Sequence, residues 1–119
     1  LRIEDERLKT LLVKILNDES CRRILAFSTR PVSVAELSSK LNIPLSSTYR
    51  CVKTLMDAGL LLAVGSVLTD EGKKYNLYQT AVTAIDIHFS DGNLQVELTP
   101  RMDLTHQFTK LLKSLREGM

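Results

Sequence analysis

Within residues 45–57 the sequence groups Ser46, Ser47, Tyr49, Arg50 and Lys53, five side chains able to meet a polyanion. Turning each residue roughly 100° from the last, as a helix does, sets Ser46, Arg50, Lys53 and finally Asp57 on one stripe, with Ser47 and Tyr49 on its flanks. The Arg50 fork suits guanine O6 and N7 and could equally hold a phosphate. Tyr49 can stack on a sugar or touch a base methyl, or it only covers the helix. The two small hydroxyls leave first-turn amides, at the positive end of the helix dipole, open to a phosphate. The opposite side, Leu45, Thr48, Val52, Leu55 and Met56, is expected to be core, with Cys51 at its edge as a small buried hydrophobe.

Reaction chemistry finds no comparable grouping. No histidine or cysteine stands in a nucleophile motif and no glycine-rich phosphate loop occurs, so the chain reads as a non-enzyme. His88 and His106 fall on polar faces, as solvated histidines do. Cys21 and Cys51 are too few and too far apart in sequence for a disulfide framework or a zinc ribbon. Both are expected to be reduced, with no cofactor and no metal site.

The stripe needs a helix, and the flanking residues supply one. Ser33-Val34-Ala35-Glu36 is a capping box that starts a short helix with Val34, Leu37 and Leu41 facing inward. Asn42-Ile43-Pro44 ends it: Ile43, before proline, favours an extended turn, and Pro44 fits the first position of the next helix. That second helix runs to about Ala58, where Gly59 provides the stop. Two helices joined by a tight turn are a helix-turn-helix.

These residues carry a family resemblance. Val34-Ala35-Glu36-Leu37 with Leu41, Pro44 through Leu55, Asp57-Ala58-Gly59-Leu60-Leu61 and Gly72-Lys73-Lys74-Tyr75-Asn76-Leu77 together resemble the winged helix-turn-helix transcription regulators, especially the ArsR-like group, over residues 8 to 80. The resemblance implies a homodimer that binds double-stranded DNA through Ser46, Ser47, Tyr49, Arg50 and Lys53, with Lys73 and Lys74 of the wing on the backbone. Acidic Asp70 and Glu71 at the wing tip argue against deep entry into the minor groove. Some ArsR-like repressors bind thiophilic metals through paired cysteines that would fall at Ser33 and Ala35. Neither can supply a thiolate, so that site is absent.

Around this module, Leu8, Leu11, Leu12, Ile15 and Leu16 mark an amphipathic first helix ending near Asn17. Asp18 caps a second helix from about Glu19 to Phe27, with Cys21, Ile24 and Leu25 inward and Arg22 and Arg23 outside. Val32 and Ser33 allow one short strand. Leu60 to Leu68 and Lys73 to Thr80 read as the strands of the wing. Residues 81–99 alternate as a second hairpin turning at Asp91-Gly92, expected to extend the wing sheet or to cover part of a dimer contact. A last helix, starting at Thr99-Pro100 or Asp103, carries Leu104, Phe108, Leu111, Leu112 and Leu115 on one stripe. With Leu8 and Leu12 this stripe is expected to form the dimer interface.

The expected architecture is α+β, mainly α, in a single domain over 1–119: a winged helix-turn-helix at 8–80, an extra β-hairpin at 81–99 and a dimerisation helix at 100–119. Composition agrees, with 119 residues, 44% hydrophobic and 25% charged. No apolar run approaches a bilayer span and the amino end lacks a signal-peptide core, so a cytoplasmic protein without membrane contact is expected. Net charge is only +2, yet residues 20–80 hold eight basic residues against four acids, an excess of +4, leaving −2 on the ends. Basic charge is thus concentrated on the candidate reading module. Other uses of the exposed stripe are a protein contact within a transcription-related assembly and, third, RNA. The residues point to no particular small-molecule effector.

Overall fold

The computed structural model describes residues 1–101 and 109–114. Its elements are β1 (Arg2–Ile3), α1 (Glu6–Asn17), α2 (Glu19–Phe27), α3 (Val34–Leu41), α4 (Leu45–Asp57), β2 (Leu61–Leu68), β3 (Lys74–Thr80), β4 (Val82–Ser90) and β5 (Asn93–Pro100). Residues 109–114 are helical and are called α5.

Local chemistry fixes the helix ends. Asp5, Asp18 and Ser33 cap α1, α2 and α3, each side chain accepting the amide three residues on. The Ser33 box closes on that side only; Glu36 makes no return hydrogen bond among the described residues. After α3, Asn42 adopts the left-handed conformation at φ 54°. Ile43 is buried beneath it, and the Ser38 hydroxyl donates to the Ile43 carbonyl at 2.6 Å, which tightens the turn. Pro44 takes the cap position rather than the first helical one expected, because its ψ of 142° is extended. Helix α4 ends as a Schellman motif: Leu60 N–H donates to Leu55 O, Gly59 N–H to Met56 O, and Gly59 has φ 79°.

Residues from every helix and both hairpins share one core, centred on Leu12, Ile24, Leu37, Leu55, Leu60 and Leu98. Thr48 is fully buried within it because its hydroxyl donates to the Pro44 carbonyl at 3.0 Å. Two arginines tie the helices together: Arg22 donates to Leu16 O at the end of α1, and Arg23 to Leu41 O at the end of α3. Their charge therefore serves the bundle. Among the described residues no helix is long and apolar enough to cross a membrane.

There are two antiparallel sheets. The wing, β2–β3, is joined at its base by Val32, which exchanges two hydrogen bonds with Tyr78, the single-residue remnant of a third strand. The second hairpin forms a separate sheet of order β1–β5–β4. Its two-residue turn, Asp91 at φ 50° and Gly92 at φ 79°, has the left-handed pair of a type I′ hairpin.

Several expectations are corrected. The hairpin of residues 81–99 does not extend the wing sheet; β5 pairs instead with β1, a strand too short to show in the sequence. Leu8 and Leu12, expected at a dimer contact, are 5% and 0% exposed, because the β1–β5–β4 sheet covers that face of α1 within the same chain. The last helix does not begin at Thr99-Pro100, since both residues belong to β5. Leu111 and Leu112 are half-buried, Leu112 against the core of its own chain, while Asp103, Leu104, Phe108 and Leu115 lie outside the described residues. Leu45, expected in the core, is 50% exposed at the first position of α4, and the core face of the helix begins at Thr48.

Candidate nucleic-acid interface

Helix α4 differs from its neighbours at its amino end. No side chain caps it and no acid stands in its first turn, so its leading amides and the positive end of its dipole are left to an outside acceptor. Ser46 is exposed and Ser47 half-exposed at that end, and Tyr49 is 58% exposed beside them. Arg50 and Lys53 follow on the outer stripe. Each has an acidic neighbour: Arg50 Nη1 lies 3.9 Å from Asp18 Oδ2, and Lys53 Nζ 3.2 Å from Asp57 Oδ2. Both pairs are solvent-exposed, worth at most about 1 kcal/mol each, and yield readily to a phosphate or base edge.

The wing lies alongside. Ser33 and Ala35 of α3's start, Tyr49 of α4, and Lys74, Tyr75 and Asn76 of β3 line one open groove of about 500 Å³. Tyr49 and Lys74, assigned to different elements by sequence, are thus brought to a common wall. Lys73 lies exposed at the turn, its backbone amide donating to Thr69 Oγ1 at 3.0 Å, and neither wing lysine makes a salt bridge among the described residues. The expected core face of α4 holds at Thr48, Val52 and Leu55, with Met56 partly buried. Cys51 lies deeper than expected and is fully buried. An outward helix with an open amino end stands beside a two-stranded hairpin. The arrangement is a winged helix-turn-helix.

A family model matches the helix-turn-helix part of the chain. Residues 23–64 match the model of the IclR helix-turn-helix domain, a span from the middle of α2 to the middle of β2. No curated protein matches the chain. Among solved structures, a possible transcriptional regulator from Methanosarcina mazei Go1 is 16% identical, with 99% of this chain and 90% of that chain covered and a TM-score of 0.48. Reduced HlyU from Vibrio cholerae N16961 is 17% identical, with 90% and 87% covered and a TM-score of 0.43. The matched model is named for the IclR type, not for the ArsR-like group that the sequence resembles.

One cluster escaped the sequence altogether. Cys21 of α2 and Cys51 of α4 are both buried free thiols, and with a carboxylate oxygen of Asp18 their sulfurs lie within 4.8 Å of one another. Burial, then the contact with Cys51, pushes the Cys21 thiol up to about 12. Only the packing of α2 across α4 joins these residues. The trace available in sequence was that each falls on the inward face of its helix.

Proposed function

We propose that this chain is a sequence-specific regulator of transcription that binds double-stranded DNA as a homodimer, in the cytoplasm and without catalytic chemistry. The observation that carries this reading is the α4 stripe. Of the four helices whose amino ends are described, the one left uncapped presents Ser46, Ser47, Tyr49, Arg50 and Lys53 outward beside a wing bearing Lys73 and Lys74. Open amides and lysines position the phosphates, while the Arg50 fork addresses a base edge. The ArsR-like affiliation belongs to this reading and rests on the residues quoted for it. Dimerisation would set two recognition helices about 34 Å apart, one turn of DNA. With Leu8 and Leu12 enclosed, the surface offered for pairing is the outer half of β4, a sheet edge with Ile87 41% and Phe89 69% exposed, together with α5.

Selection of duplexes from random DNA, followed by Arg50→Ala, tests the reading. We expect a loss of about 1–3 kcal/mol per half-site on the selected sequence and flattened discrimination at one base position. An equal loss on scrambled DNA would make Arg50 a phosphate clamp and move sequence reading elsewhere. Leu45 and Tyr49, exposed together at the amino end of α4, favour a second reading in which this stripe docks a protein. The two separate by salt: counterion release makes duplex affinity fall steeply with ionic strength, whereas a mainly apolar contact barely responds.

A further inference from the structure

We propose that Asp18, Cys21 and Cys51 form a site for one thiophilic divalent cation of the zinc or cadmium kind, clasped between α2 and α4. Three donor atoms mutually within 4.8 Å can be met by an ion no more than about 2.8 Å from each, so small side-chain rotations reach the usual Zn–S and Zn–O lengths of about 2.3 and 2.1 Å. Two sulfurs and one oxygen select soft or borderline d¹⁰ ions over magnesium or calcium.

Cys21 stands in the first turn of α2, where the helix dipole offsets part of the cost of a buried thiolate and a bound cation would supply the rest. Asp18 Oδ1 accepts the Cys21 amide at 3.1 Å while Oδ2 faces Arg50, so the carboxylate has a second oxygen beside the one that caps the helix. Two thiolates and a carboxylate bring −3 against +2, and the Arg50 guanidinium 3.9 Å away offsets the remainder. Asp18 is the partly exposed member, so the ion enters on its side, and water completes a fourth position there. On binding, two S–H bonds break and two metal–sulfur bonds form; two protons leave and no electron moves. The site would tie the recognition helix to α2. It does not depend on the DNA reading.

The test is titration of the reduced, oxygen-free chain with cadmium chloride. We expect a thiolate-to-cadmium charge-transfer absorption that saturates at one equivalent with release of two protons, and that is absent from Cys21→Ser and Cys51→Ser. Asp18→Asn keeps a capping oxygen. It should retain the band while binding weakens on the order of tenfold or more. No saturable band, a band that survives Cys51→Ser, or an unchanged affinity in Asp18→Asn would each overturn the site. The wild-type stoichiometry and Asp18→Asn decide the matter even if a serine variant fails to fold.

Discussion

The two hairpins are of similar length, yet one is a limb and the other a wall. Beyond its base the wing buries nothing: past the irregularity between Ala63 and Gly65 its strands are largely exposed, and Leu68 near the tip is 72% exposed. The β4–β5 hairpin alternates in the same way, but β1 pairs along β5 and α1 lies beneath, so Val96 and Leu98 are buried. Lys9 adds a fastening, donating to the Leu94 carbonyl at 3.0 Å. Alternation alone does not distinguish these outcomes. What decides is whether a neighbouring element presents an apolar face at the right height. A hairpin without one is held only at its base and keeps its surface for contacts outside the chain.

The largest expected effect breaks the wall. Leu98→Ala removes a fully buried side chain between the sheet and α1 and should cost about 2–5 kcal/mol in urea unfolding. The matching change in the wing, Leu68→Ala, should stay within about 0.5 kcal/mol. Equal losses at the two positions would mean that the wing is packed against something else in solution.

An intermediate effect is expected where the wall becomes a limb. The outer half of β4 carries Ile87 and Phe89 past the reach of α1, on the free edge of the sheet. Phe89→Glu should convert a dimer to a monomer in light scattering at tens of micromolar protein, on the order of usual assay conditions, while changing protomer stability by no more than about 0.5 kcal/mol. A dimer that survives Phe89→Glu and dissociates on Leu111→Glu would move the interface to α5.

These contrasts mark where sequence was informative. Capping residues, Gly59, the Asp91-Gly92 turn and the 3.6-residue period of α1 to α4 act within a few residues of themselves, so α2 is found at its expected bounds and the wing strands within a residue of theirs. The outer stripe of α4 was legible for the same reason. Features made by distant segments were not: the β1–β5 pairing, the enclosure of Leu8 and Leu12, and the meeting of Cys21 with Cys51 each depend on packing between elements. Leu45 was misplaced because helical phase gives the direction of a side chain and not how far the facing elements extend.

The smallest effect concerns the limb itself, and it separates positioning from reading. Lys73 and Lys74 stand at the wing turn without acidic partners among the described residues, whereas Asp70 and Glu71 occupy the tip and repel a phosphate. The wing can therefore touch the backbone with its β3 side but not enter a groove tip first. Replacing both lysines with alanine should weaken specific and scrambled duplexes alike and lower the salt slope by up to about two units per subunit, one for each phosphate no longer neutralised. Discrimination between bases should not change, because Arg50 lies on another element. Measurements at several salt concentrations on both duplexes separate the cases. A loss confined to the specific sequence would make the wing a reader, and an unchanged slope would remove it from the interface and leave α4 to bind alone.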